Sequence, residues 1–288
     1  MNEHVTTRLR LDIAYDGTGF SGWSKQPGLR TVEGTLDAAL ATLFARSGSL
    51  PTLTVAGRTD AGVHALGQVA HLDLTDVQLA SLKGRSGSDS PAVSLARRLN
   101  GIAGLQSDVH VTSSAIAPPG FDARFSAIRR RYEYRVADTR APRNPLLRNH
   151  TVWFPADLDV GAMNTAASAL TGLHDWAAYC KPREGATTIR TLQSFVWERQ
   201  PDGLLVARLQ ADAFCHSMVR ALVGATVAVG QGKLSPDDVV ALREAAERTS
   251  AFKVMPAKGL ALLEVGYPEV DELAARAELT RQRRALEV

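Results

Sequence analysis

The 288-residue chain is poor in cysteine. Cys180 and Cys215 are its only two, and they form no C-x-x-C pair, so neither a zinc cluster nor a disulfide framework is indicated. Reduced thiols in a cytoplasmic protein are the expectation. Long apolar runs are also missing: none approaches the roughly 18 residues of a membrane span. Met1 to Thr7 is polar and lacks the apolar core of a secretory signal. Neither sign of charge dominates, with 33 basic against 30 acidic residues and a net charge of +3. A pI near 9.0 permits a polyanionic partner without requiring one. Several reaction signatures are absent as well. The chain has no G-x-x-x-x-G-K-[ST] phosphate loop, no H-E-x-x-H, no G-x-S-x-G elbow and no zinc-deaminase H-x-E with P-C-x-x-C. The seven histidines are scattered, and His64 and His71 at a strand start have no third ligand beside them. They read as scaffold.

What is present is carboxylate chemistry. Val55-Ala56-Gly57-Arg58-Thr59-Asp60-Ala61-Gly62-Val63-His64 sets one carboxylate and one guanidinium among glycines between two apolar runs. Asp60 is a candidate nucleophile or base, provided a neighbouring cation keeps it ionised. Arg58 is one candidate for that cation. Arg220, set among the apolar helix positions Val219, Leu222 and Val223, is another, because a charge there needs a partner. A polar turn with a local ion pair, and an Arg220 snorkelling at a helix edge, are the plainer readings. A third stretch, Phe121 to Tyr134, interleaves Arg124, Arg129, Arg130 and Arg131 with aromatics. Cations pair with phosphate and rings stack on bases, so the pattern suits nucleic acid. Tyr132 and Tyr134, two apart, share a strand face, where a core role is the alternative.

Period-two and period-3.6 patterns order the rest. Strands are expected at 9–15, 53–56, 68–74 and 109–116, with helices at 32–46 and 92–103. Residues 8–117 therefore read β-α-β-β-α-β, the ferredoxin-like split pattern. Asp16 to Trp23 contains a formal G-x-G-x-x-G (Gly17, Gly19, Gly22), but Pro27-Gly28 follows where a dinucleotide site needs a helix. A glycine-rich loop carrying aromatics beside a ligand fits better. Pro118-Pro119-Gly120 is the boundary candidate. The second half repeats the order, with strands at 128–136, 191–198, 204–213 and 259–266, a short extra strand at 152–154, and helices at 160–170, 217–229 and 236–247. The expected divisions are 8–118, 119–268 and a charged helical tail, 269–288, read as a solvated or dimer-packing helix. The Gly/Ser-rich Lys83–Pro91 stretch reads as a loop.

Six segments in order, spread over about 250 residues, resemble the TruA family of tRNA pseudouridine synthases. They are YDGTGFSGW (15–23), AGRTDAGVHALGQVAH (56–71), FDARFSAIRRRYEYR (121–135), LTGLHDWAAYCK (170–181), FCHSMVRALVG (214–224) and MPAKGL (255–260). The resemblance implies an α/β fold of two related halves forming a continuous, mainly antiparallel sheet with flanking helices. It implies isomerisation of uridine to pseudouridine at positions 38, 39 and 40 of the tRNA anticodon stem-loop, by a homodimer needing neither cofactor nor metal. Carried over by residue, Asp60 matches the catalytic aspartate and Arg58 the arginine that helps extrude the nucleotide. Tyr132 matches the tyrosine stacking on the flipped base, Arg220 the basic partner of the aspartate, and Leu260 the apolar residue beneath the base. A noncatalytic RNA-binding protein, keeping the arginines and tyrosines but independent of Asp60, is the alternative. A nicotinamide enzyme is disfavoured by Pro27 and Gly28.

Overall fold

The structure, a computed structural model, describes residues 6–281 apart from 48, 84–89, 184 and 186. Most of the Lys83–Pro91 loop, and Arg283 and Arg284 of the tail, lie outside the described residues. Contacts divide the chain into two compact units. One extends to Ala127 and takes in Tyr267–Arg281; the other contains Ile128–Gly266.

In the first unit, β1 (Thr6–Tyr15) alternates so that Leu9, Leu11, Ile13 and Tyr15 are buried. Helix α1 (Val32–Leu43) is capped by Thr31, whose hydroxyl accepts the Gly34 N–H. It stops short of Arg46 because Phe44 leaves helical angles and turns into the core, 1 % exposed. Strands β2 (Thr54–Val55) and β3 (His64–Thr75) follow; β3 starts four residues before the expected Gln68. A short α2 (Asp76–Ser81), absent from the sequence reading, is held by a Thr75–Gln78 capping box. Helix α3 (Pro91–Ala103) buries Leu95 and Leu99, but Ile102, expected inward, is 40 % exposed. With β4 (Val109–Ile116), the sheet order is β4-β1-β3-β2, antiparallel throughout. That is the order a split β-α-β pattern produces.

The second unit repeats it. Its elements are β5 (Arg129–Ala137), β6 (Val152–Trp153), α4 (Val160–Ala169), β7 (Gly172–Asp175), β8 (Ile189–Arg199), β9 (Leu205–Ala211), α5 (Met218–Gly230), α6 (Pro236–Ala245) and β10 (Leu260–Gly266). The sheet runs β10-β5-β9-β8-β7, and its first four strands reproduce the order of the first unit. Strand β7 was not foreseen: four residues are too few for a period-two pattern to register. Helix α5 buries twelve residues and is enclosed nearly all round, which explains its lack of a polar face. The expected hairpin turn forms at 201–203, with Gly203 at φ 86.

Both units are thus mixed α/β, each a mainly antiparallel sheet flanked by helices. The chain then returns to the first unit as α7 (Leu273–Arg281). This tail helix is not simply solvated: Leu273 and Ala277 are buried, and the Ser126 hydroxyl donates to the Leu273 carbonyl at 3.1 Å. The reduced-thiol expectation is corrected too. Cys180 and Cys215 are disulfide-paired, their Cα atoms 5.8 Å apart across a sequence separation of 35. No helix of the described residues is long and apolar enough to cross a membrane.

Candidate active site

The stretch around Asp60 is a turn between β2 and β3, clamped by the loop after β1. Backbone bonds stitch the two together. Trp23 N–H donates to Thr59 O at 3.0 Å, Gly62 N–H to Phe20 O at 3.2 Å, and Val63 N–H closes on Asp60 O at 3.2 Å. Gly17 explains how closely they approach: a Cβ there would lie 2.1 Å from Val63 O. Gly17 and Gly22 of the formal G-x-G-x-x-G therefore serve packing against the Asp60 turn, while Gly19 faces Arg30 and Asp108. Only a three-residue 3-10 turn follows β1, and the next helix begins at Val32. Phe20 and Trp23 of this loop are buried.

Exposure alternates along the turn. Arg58 is exposed, Thr59 is 7 % exposed and Asp60 is partly exposed, so Arg58 and Asp60 project outward on either side of an inward Thr59. At the loop entrance, Asp16 lies 3.1 Å from His64 Nδ1 and accepts from the Thr18 amide and hydroxyl. Partial burial works against this carboxylate, but the Thr18 bonds and the His64 ring outweigh it and hold its pKa below the usual range. His64 Nδ1 also receives the Gly17 N–H, and His71 Nδ1 receives that of Ala123. Burial, reinforced by Arg8, lowers the His71 pKa. Both histidines are scaffold groups. Among the described residues, no three His, Cys, Asp or Glu side chains cluster to hold a metal.

The second unit brings Tyr132, Arg220 and Leu260 into one neighbourhood. Tyr132 and Tyr134 project from the same face of β5, opposite Leu262 and Leu260 of β10. Their environments differ. Tyr134 is fully buried, and its hydroxyl donates to Pro256 O at 2.7 Å; burial pushes its pKa up, against the opposing charge of Arg220. Tyr132 is partly exposed and meets the ring of Phe214 edge-on, centroids 5.2 Å apart. Of the two tyrosines, one is core and the other accessible. Leu260, 5 % exposed, lies one register step diagonally from Tyr132.

Arg220, in the first turn of α5, does not snorkel freely. Its Nε donates to Met255 O at 2.7 Å, and Met255 N–H returns a bond to Arg220 O at 3.1 Å. One turn on, a Cβ at Gly224 would lie 2.0 Å from Lys253 O, so the 253–256 segment can run along α5 only beside glycine. The run Arg129–Arg131 is less open to an anion than its spacing suggests. Arg129 and Arg131 both pair with Glu264, at 2.7 and 3.0 Å, and Arg130 donates to Asp212 O at 2.6 Å. Such partly exposed pairs are weak and can exchange partners. Phe214 was missed from sequence; its signal was an aromatic just ahead of the apolar α5 run.

Similarity to known proteins covers nearly the whole chain. Residues 166–268 match the family described as tRNA pseudouridine synthase. The chain is 62 % identical to the tRNA pseudouridine synthase A of Leifsonia xyli subsp. xyli, covering 97 % of this chain and 98 % of that protein. It is 53 % identical to the enzyme of that name from Frankia casuarinae (95 % and 94 % covered) and 51 % identical to that from Streptomyces avermitilis (97 % and 94 %).

Proposed function

The chain belongs to the TruA family of tRNA pseudouridine synthases, an isomerase acting on tRNA, and from that premise we propose that Asp60 is its nucleophile and the anticodon stem-loop its target. The uridines isomerised are those at positions 38, 39 and 40. The observation that carries this reading is the turn itself: a partly exposed carboxylate and an exposed guanidinium, two residues apart, on a backbone clamped by a neighbouring loop.

The chemistry assigns each side chain a task. A uridine in a stem must leave the stack before its glycosidic bond is reachable. Arg58 takes the place of the extruded nucleotide. Tyr132 stacks on the flipped base, and Leu260 supplies an apolar floor. Arg220, its guanidinium fixed through Met255, takes the basic role that the family resemblance gives it. Asp60 attacks the sugar or the pyrimidine ring, and the N1–C1′ bond breaks. The uracil turns while held, C5 bonds to C1′, the bond between Asp60 and the substrate breaks to return the free carboxylate, and the C5 proton leaves to a base while N1 gains one. No atom is added or lost, so the site must chiefly retain a detached uracil. A ring and an apolar floor suit that better than further acids. The enzyme acts in the cytoplasm as a homodimer gripping tRNA across both subunits.

The test compares wild type with Asp60→Ala on unmodified tRNA, mapping pseudouridine by chemical labelling and primer extension, since mass cannot distinguish isomers. Product at 38–40 from wild type and none from the variant is expected. Equal product from both would sink the nucleophile; product from neither would favour a binding protein.

A further inference from the structure

Beneath the Arg58–Asp60 turn lies a buried polar cluster that the reaction as described does not use. The hydroxyl of Tyr15, at the end of β1, is 2.8 Å from Thr59 Oγ1. The Gln68 amide, from β3, donates one hydrogen to Tyr15 Oη at 3.2 Å and the other to Gly57 O at 2.9 Å. Tyr15 is 5 % exposed, Thr59 7 % and Gln68 not at all. Buried polar groups of this kind persist only when bonded, and here the bonds converge on the two residues that flank Arg58.

Gln68 donates into Tyr15 Oη, and in the bond between Tyr15 and Thr59 either hydroxyl can donate. Burial, opposed by the bonds to Thr59 and Gln68, pushes the Tyr15 hydroxyl up to about 12, so it stays protonated near neutral pH. Thr59 is then held at two points, its side chain by Tyr15 and its carbonyl by Trp23 N–H at 3.0 Å. Gly57 is held by Gln68, and Ala56 N–H by Val69 O at 2.8 Å. Every backbone residue next to the two outward side chains on the β2 side is pinned.

Strand register puts Gln68 on this face. On β1, Ile13 and Tyr15 are two apart and face the same side, and Gln68 of β3 is the partner of Ile13, so its side chain shares that face. A register shift follows before Ala65, the partner of Tyr15, and Leu66 is put out to solvent, 67 % exposed.

We propose that Tyr15 and Gln68 are positioning residues for the Arg58–Asp60 pair, acting through Thr59 and Gly57 to hold the carboxylate in its attacking geometry. The proposal rests on Asp60 being the nucleophile. The cluster touches no substrate; it removes the freedom of the turn to rotate Asp60 out of line, and small misplacements of reacting groups have large rate effects.

The test measures single-turnover rate and tRNA dissociation constant separately for Tyr15→Phe, Thr59→Val, Thr59→Ser and Asp60→Asn. Leu99→Ala, a core truncation between α3 and the sheet, serves as a control for lost stability. Tyr15→Phe and Thr59→Val should slow turnover about ten-fold or more while tRNA affinity stays within about two-fold. Thr59→Ser, which keeps the hydroxyl, should recover most of the rate lost in Thr59→Val. If Tyr15→Phe loses no more rate than Leu99→Ala, or if Thr59→Ser and Thr59→Val are equal, the cluster is merely structural and the proposal falls. Should Tyr15→Phe fail to fold, the two Thr59 variants decide alone. Asp60→Asn separates the two layers: turnover persisting there overturns the nucleophile, whatever the other variants do.

Discussion

Replacing Gly17 by alanine adds a single methyl group, and the structure says where it goes. The new Cβ would lie 2.1 Å from Val63 O, 2.5 Å from Val63 C and 3.0 Å from Val63 N. Contact at ordinary distance needs the two loops to separate by about 1 Å, and neither can yield as a flexible side chain would, since the obstacle is backbone. Overpacking of this kind costs about 1–3 kcal/mol. The bond from Gly17 N–H to His64 Nδ1, now 3.0 Å, stretches with it and removes about 1 kcal/mol more. A total of about 2–4 kcal/mol corresponds to a melting temperature lower by roughly 5–10 °C in a chain of this size. Displacing the turn by that distance also predicts a turnover loss of about a hundred-fold. Gly57→Ala is the matched comparison: it lies in the facing Asp60 turn, two residues before Thr59, and a Cβ there meets nothing within 4 Å. Its melting temperature should stay within about 2 °C of wild type. Differential scanning calorimetry and a single-turnover tRNA assay read both effects. If Gly17→Ala melts like wild type, the two loops are not clamped as described, and the account of the turn is wrong.

Three other substitutions probe separate features. Asp138, its side chain fully buried, is held by Arg199 at 2.6 and 2.9 Å; removing one partner of such a pair in Asp138→Asn should destabilise by about 3 kcal/mol, read by urea unfolding. Burial opposes the Asp138 carboxylate, but Arg199 and the amides of Arg140 and Leu158 outweigh it, so its folded pKa lies below the unfolded value. The folded state then binds fewer protons, and stability present above about pH 4 is lost as pH falls below it. Acid unfolding followed by circular dichroism should be shallower in Asp138→Asn than in wild type. Denatured without reductant, the chain should present no titratable thiol, and two after reduction, because Cys180 pairs with Cys215; two thiols without reductant would show the pair open. Tyr132→Phe keeps the ring against Phe214, so tRNA affinity should hold; turnover falls if the hydroxyl is the base that takes the C5 proton, and unchanged turnover leaves Tyr132 with stacking alone.

Sequence alone determined whatever a few consecutive residues can dictate. Period-two alternation placed β1 and β4 within a few residues, Ser235-Pro236 marked a helix start, and the repeated β-α-β-β-α-β order of both halves was legible because each element carries its own apolar pattern. The six family segments, and through them Asp60, Arg58, Tyr132, Arg220 and Leu260, were equally visible as residue types. Tertiary structure decided what depends on register and close approach. Spacing made Tyr132 and Tyr134 equivalent, but only the cover supplied by Pro256 and Arg220 made one of them core. Gly17 and Gly57 look alike in the chain, yet one faces the Val63 backbone and the other open space. The arginines of 129–131 read as cations for phosphate until Glu264, more than a hundred residues on, was brought beside two of them. Tyr15, Thr59 and Gln68 carried no joint signal at all, because their bonds span up to 53 residues and exist only once β1 and β3 have paired in register. Backbone angles and side-chain periodicity are local properties; hydrogen bonds between distant residues become definite only once strands have chosen their register.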